Sequence, residues 1–406
     1  MGRLNSNPAP VRHVVVGPSG TGCRIRVRRA VQIRTPVVAR CAAGPGTSHP
    51  SDPTCPQNEK RENMMKSTTK IALLAAVASL AAAGTASAAG TLDAVKSKGF
   101  VQCGVNGAGL VGFGAPNDAG EWSGLDVDYC RAVAAAVFGD PSKVKYSPLS
   151  AKERFTALQS GEIDMLARNS TSTMSRDTQL GITFVGVNYY DGQGFMVKKS
   201  LGVSSAKELD GASICVQSGT TTELNLADWF RAHGMTPQPV VFEKQEEADA
   251  AYDSGRCDAY TTDASGLYSI RLKLSNPDDH VVLPEIISKE PLAVAVRQGD
   301  DQWESVVRWT HAILLNAEEL GVTQANVEDQ AANSTNPEVK RLLGKDGDFG
   351  APIGLSPDFA VQVIKAVGNY GEIFDRNVGA GSPLKIERGL NALWSNGGIQ
   401  YAAPVR

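Results

Sequence analysis

The sequence predicts an α/β protein whose chain forms two similar lobes facing each other across a cleft. Three observations carry that expectation: a strand–helix alternation over residues 100–167, its repetition over residues 213–262, and two short connections suited to carrying the chain between the halves.

In the first half, Phe100-Val-Gln-Cys-Gly-Val105 reads as a strand. Gly124-Leu-Asp-Val-Asp128 leads into Tyr129–Phe138, an alanine-rich amphipathic helix stopped by Gly139. Val144–Ser147 reads as a strand, Ala151–Ser160 as a helix ended by Gly161, and Ile163–Ala167 as a strand. The second half repeats the order: strand Ser213–Gln217, helix Thr221–Ala232, strand Val240–Phe242, helix Glu246–Ser254, strand Cys257–Thr262. The lead-ins match as well, Leu158-Gln-Ser-Gly-Glu-Ile-Asp164 paralleling Tyr252-Asp-Ser-Gly-Arg-Cys-Asp258. A βαβαβ order implies a mostly parallel sheet with ligand groups at the carboxyl ends of its strands. The crossings are expected at Tyr189–Gly194 and near Leu283–Pro291, and a chain that crosses twice makes a two-strand hinge. Farther on, Ser356-Pro-Asp-Phe reads as a helix start, with Ser356 as cap and Pro357 in the first turn. Phe359, Val363 and Val367 recur at helical spacing as core, and this segment is expected on the first lobe.

The stretch Arg168-Asn-Ser-Thr-Ser-Thr-Met-Ser-Arg-Asp177 is the most suggestive chemically. Hydroxyls and an amide lie between two arginines at the end of a strand, where they suit a small carboxylate, and the fork of Arg176 takes both oxygens at once. Taken alone, the stretch also suits a polar loop that caps the next helix.

Met64–Lys70 is a short basic start, Ile71–Ala83 an apolar run and Ala86-Ser-Ala88 a small-residue cleavage site, the anatomy of a secretory signal peptide over 64–88. Residues 1–63 are rich in Arg, Pro, Gly and Ser without period, and are expected to be a mis-called upstream extension. Taking residues 1–88, with 12 Lys/Arg and 3 Asp/Glu, from totals of 40 and 43 leaves 318 residues with 28 basic and 40 acidic groups. A charge of −12 argues against nucleic acid and anionic membrane as partners, and suits a monomer. Four cysteines remain, Cys103, Cys130, Cys215 and Cys257, without metal-ligand spacing. In an exported chain an even number favours disulfides; chain order favours Cys103–Cys130 and Cys215–Cys257 among the three pairings, the alternative being four buried thiols.

Together, Gly124–Asp128, Arg154-Phe-Thr-Ala-Leu-Gln-Ser-Gly161, Asn169–Arg176, Ser218-Gly-Thr-Thr221 and Tyr260-Thr-Thr-Asp263 resemble the family 3 periplasmic solute-binding proteins of polar amino-acid ABC importers. Gly368–Val378 and Arg388–Trp394 point to the general L-amino-acid-binding subgroup, and the resemblance covers 89–406. It implies a type II periplasmic binding fold: lobe 1 from 89–190, lobe 2 from 191–288, and a return to lobe 1 with a C-terminal helical extension over 289–406. It implies Arg176 on the ligand α-carboxylate, Asn169 and Thr171 beside it, Thr221 at a helix start offering backbone N–H groups, and Asp263 on the α-ammonium. Arg154 would select the side chain, unless it is an ordinary surface arginine.

Two departures, Leu110 where relatives place an aromatic ring and Gln245 where some acidic-ligand binders have histidine, favour broad specificity. The implied role is a non-catalytic periplasmic carrier without metal or cofactor, partnered by a free L-amino acid and the permease subunits of an ABC transporter. The rival is a periplasmic cyclohexadienyl dehydratase-like enzyme acting on arogenate or prephenate. Such a site needs an acid or base, and His233, His280 and His311 all lie outside the motifs.

Overall fold

A computed structural model describes residues 90–406; the expected upstream extension and signal peptide lie outside them. Helix α1 (Thr91–Lys98) leads into β1 (Val101–Asn106), a small hairpin of β2 (Ala115–Pro116) and β3 (Trp122–Ser123), and α2 (Leu125–Phe138). Then come β4 (Val144–Leu149), α3 (Arg154–Ser160), β5 (Met165–Leu166), α4 (Met174–Gln179) and β6 (Ile182–Asp191). The second lobe holds β7 (Gln193–Lys198), β8 (Ser213–Gln217), α5 (Thr221–Ala232), β9 (Gln238–Phe242), α6 (Gln245–Asp253), β10 (Ala259–Asp263), α7 (Ala264–Arg271) and β11 (His280–Val282). The chain returns through β12 (Glu290–Arg297) to α8 (Asp301–Glu319), α9 (Val327–Asn333), α10 (Pro337–Leu342), α11 (Phe359–Val367) and α12 (Tyr370–Asn377).

Two five-stranded sheets result, ordered β4-β1-β5-β12-β6 and β11-β7-β10-β8-β9. In the first, β1 runs parallel to β4 and β5, while β12 runs antiparallel to β5 and β6. In the second, β8 runs parallel to β9 and β10, and β7 is antiparallel to β10 and β11. The largest core joins Leu125 and Val133 of α2 to Trp303 of α8 and to Phe359, Val363, Val367 and Phe374 of the C-terminal helices. Those helices therefore belong to the first lobe's core. Among the described residues no helix is long and apolar enough to cross a membrane.

Several elements differ from the sequence reading. Helix α2 starts at Leu125, four residues early, because Asp126 and Asp128 are first-turn acids that favour a helix N-terminus. Gly124, at φ 135°, makes the entry, and a β-carbon there would collide with Phe113 O. Strand β5 is only two residues long: the carbonyls of Ile163 and Asp164 accept from the Arg297 guanidinium and Trp303 indole, at 2.7 and 2.9 Å, instead of joining the ladder. Ser356 does not cap α11. Phe359 N donates to Ser356 O at 3.2 Å and Asp358 sits at φ −97°, ψ 13°, so Ser356-Pro-Asp-Phe359 is a turn and Asp358 precedes the helix. The first crossing is an almost continuous strand pair, β6 into β7, broken at Gly192, where a β-carbon would come within 2.8 Å of Ser288 O.

The cysteines form the disulfides Cys103–Cys130, tying β1 to α2, and Cys215–Cys257 in the second lobe. Spanning 27 and 42 residues, each contributes roughly 3 to 4 kcal/mol in the chain-entropy account.

His311 of α8 is buried against α2, its Nδ1 2.8 Å from Tyr129 Oη, and burial pulls its pKa down to about 4. An unfolded imidazole titrates near 6.5, so between about 6.5 and about 4 the unfolded chain binds the extra proton. The neutral-His contribution is fully present above that window and is lost as pH falls, by about 3 kcal/mol in all. In melting curves, the stability advantage of wild type over His311→Gln should shrink on acidification from neutral pH towards pH ~4.5. A pH-independent gap would contradict this account of His311.

Candidate functional site

The cleft is built where strand ends and helix starts from both lobes converge. After β5 the chain enters Arg168-Asn-Ser-Thr171, whose first three side chains or amides are pinned from behind. Arg168 Nε donates to Leu149 O at 3.0 Å, Asn169 N to Asp126 Oδ2 at 2.8 Å, and Ser170 Oγ to Arg168 O at 2.7 Å. Asn169 adopts φ 28°, left-handed backbone that a non-glycine residue holds only under constraint. The constraint includes Asn106 Nδ2, which donates to Asn169 Oδ1 at 3.2 Å. Asp126 also accepts from Asn188 Nδ2 at 2.8 Å, and burial raises its pKa to about 6 against those bonds.

Of the six predicted ligand residues, Arg154, Asn169, Thr171, Thr221 and Asp263 wall one cavity, together with Leu110, Arg168 and Gln245. Arg176 is not one of its walls. It stands directly behind Thr171, 9% exposed, with Nη1 donating to Thr171 O at 2.9 Å. Phe155 braces two of the arginines: the Arg154 and Arg176 guanidinium carbons lie 4.7 and 5.0 Å from its ring centroid. The surface-arginine reading of Arg154 fails, because the residue is 3% exposed. Its Nη1 reaches the Arg168 and Asn169 carbonyls at 3.5 Å, and its Nε is buried without a hydrogen-bond partner.

The electrostatics are polar across the cleft. On the first lobe, burial pulls Arg154, Arg168 and Arg176 below the usual arginine range, Arg168 to about 10. On the second lobe, burial lifts the Asp263 carboxyl well above the usual range, Asp191 and Glu290 lift it further, and Arg154 and Arg176 pull it back. Each sign of charge therefore lacks solvent and is ready for a paired opposite charge. Helix α5 begins at this cleft, capped by Thr220 Oγ1 accepting from Glu223 N at 3.3 Å. Its first N–H groups favour an anion.

The lobes touch across the opening. Thr171 Oγ1 lies 3.4 Å from Thr221 Oγ1, Lys273 Nζ of the second lobe donates to Ala108 O at 3.0 Å in the first, and Lys152 pairs with Glu243. The sequence reading missed Asp126, Asp191 and Glu290. The last lies inside the second crossing, next to Pro291, and is 1% exposed. A carboxylate in a hinge was the available signal, but three of its four partners are 65–119 residues away. The histidines stand elsewhere: His280 bonds Tyr252, His311 bonds Tyr129, and none of the three histidines among the described residues borders the cavity. Among the described residues no cluster of three or more His, Cys, Asp or Glu is arranged for a metal.

Comparison with known proteins places the chain. The family model described as bacterial extracellular solute-binding proteins, family 3, matches residues 103–327. A general L-amino-acid-binding periplasmic protein of Rhizobium johnstonii is 67% identical over 317 residues, 78% of this chain and 92% of that protein. A glutamate/glutamine/aspartate/asparagine-binding protein of Rhodobacter capsulatus is 59% identical over 315 residues, 78% and 93% of the two chains. Among solved structures, an ABC transporter periplasmic binding protein from Brucella ovis with glutathione bound is 68% identical with a TM-score of 0.77, covering 78% of this chain and all of that one. The chain belongs to the family 3 extracellular solute-binding proteins and has their two-lobed type II fold.

Proposed function

We propose that this protein captures free L-amino acids of broad specificity in the periplasm and hands them to the permease subunits of an ABC importer. The observation that carries the reading is the charge arrangement of the cleft: buried guanidiniums on one lobe and a buried carboxyl, Asp263, on the other. A zwitterion satisfies both poles at once, and lobe closure is tolerable only when each buried charge is paired. In this reading 89–190 and 289–406 form the first lobe, 191–288 form the second, the chain works as a monomer, and the signal peptide at 64–88 exports it. The dehydratase alternative is not favoured, since the curated relatives are binding proteins, not enzymes.

Breadth follows from a cavity that mixes Leu110 with the amide of Gln245 and the cation Arg154. A thermal-shift screen against the twenty amino acids and glutathione, whose γ-glutamyl end carries the same zwitterion, tests it. Upward shifts are expected for acidic, amide and aliphatic ligands, since binding to the folded state raises apparent stability. A response to glutamate and aspartate alone contradicts the breadth, and no response to any amino acid contradicts the carrier reading.

A further inference from the structure

Glu290 opens β12 at the point where the chain returns from the second lobe, and four side chains donate hydrogen bonds to its carboxylate. Its Oε2 accepts from Thr171 Oγ1 at 2.5 Å and Thr221 Oγ1 at 2.7 Å. Its Oε1 accepts from Asn225 Nδ2 at 2.7 Å and Ser288 Oγ at 2.6 Å. A hydroxyl has one proton to donate, so while these bonds stand neither Thr171 nor Thr221 offers its O–H to a ligand.

The four partners divide by lobe. Thr171 is fastened to the return strand by the backbone: Ser172 N donates to Pro291 O at 2.8 Å and Ala293 N to Ser170 O at 3.0 Å. Ser288 is two residues from Glu290 itself. The Thr171 bond therefore stays within the first lobe, whereas Ser288 belongs to the crossing itself and its Oγ also accepts from Gln193 N at 3.2 Å. Thr221 and Asn225 lie one turn apart on α5, on the second lobe, so their bonds to Glu290 exist only while α5 lies against the hinge.

We propose that Glu290 is a closure latch, a positioning residue that gathers α5 onto the hinge and sets the balance between closed and open forms without touching the ligand. The proposal rests on the carrier reading and adds to it which contacts hold the lobes together. A carboxylate is suited to the task, because bonds to an ionised acceptor are the stronger kind and are exchanged for water when the lobes part. Affinity then depends on the populated fraction of the closed form.

The test uses Glu290→Gln and Asn225→Ala in the mature protein, with donor and acceptor dyes on the two lobes and calorimetry against L-glutamate and L-leucine. Both variants should show a longer mean interlobe distance without ligand. Both should bind every ligand more weakly by one common factor, at least about tenfold for Glu290→Gln, mainly through faster release. The double variant should lose less than the two single losses combined, because both remove one latch. Interlobe distances and affinities within about twofold of wild type for both variants would overturn the latch. So would a loss that differs between the two ligands, which marks a ligand contact. Asn225→Ala keeps the question open to measurement should Glu290→Gln unfold. A wild-type protein that binds no amino acid defeats the carrier reading, while the interlobe distance still reads the latch.

Discussion

Arg176→Ala is expected to weaken the binding of every amino acid at least about 100-fold, roughly 3 kcal/mol. Truncation would leave the ligand α-carboxylate buried without its fork of donors, and stranding one partner of a buried pair costs more than the pair itself contributes. Arg168 Nε already bonds Leu149 O and Arg154 Nη1 the carbonyls of Arg168 and Asn169, so the affinity left in the variant reads what the remaining donors of these two cavity-lining guanidiniums supply. Among the described residues the Arg176 guanidinium donates to the protein through Nη1, to Thr171 O, while its backbone N–H donates to Thr173 Oγ1, so the remaining guanidinium donors can serve the carboxylate. Arg176→Lys, which keeps the charge but loses the fork, should fall between. Calorimetric affinity of the alanine variant within threefold of wild type would remove Arg176 from the site.

Asp263→Asn should cost a comparable factor, on the order of 100-fold, and should also change how binding responds to pH. In the free protein, burial and then the charges of Asp191 and Glu290 hold the Asp263 carboxyl well above its ordinary range. An ammonium placed against it favours the ionised form and draws the pKa back down. Below the raised value the free protein carries a proton that the complex has shed. Binding therefore releases protons there, affinity rises with pH through that interval, and it levels off above it. Titrations in two buffers of different ionisation enthalpy should show proton release for wild type and much less for Asp263→Asn. Equal release in both would shift the effect to Asp191, which burial also raises, to about 6.

The parts of this molecule that were legible in its sequence are those specified by near neighbours. Strand β8 and helix α5 have the bounds read from sequence, because a short continuous apolar run, Ile214-Cys-Val216, meets a Ser-Gly turn and Thr220 caps the helix beyond it. The cysteine pairing emerged from parity and order, with each bridge closing a loop within one half. Arg154, Asn169, Thr171, Thr221 and Asp263, which wall one cavity, could be gathered in advance because each sits at a strand end or helix start inside a short motif.

The features that stayed hidden depend on contacts between distant segments. Asp126 and Asp128 looked like a polar lead-in, yet both are buried, one holding Asn169 and Asn188, the other accepting from Arg376 at 2.9 Å. Ser356 and Pro357 carry a helix-start signature that serves a turn equally well, and only the backbone angles separate the two. Glu290 showed only a carboxylate in a crossing with Ser288 close by, since its other three donors come from a strand end and a helix that reach it only in the folded chain.

The central claim is that two hinged lobes hold one zwitterion between a guanidinium and an aspartate. A crystal structure of residues 89–406 with L-glutamate tests it most directly. The account predicts α-carboxylate oxygens within about 3 Å of Arg176 nitrogens and the α-ammonium within about 3 Å of the Asp263 carboxylate, with α5 closed over the ligand. A ligand bound with its poles reversed, or held outside the cleft walled by Arg154, Thr171 and Asp263, would contradict it.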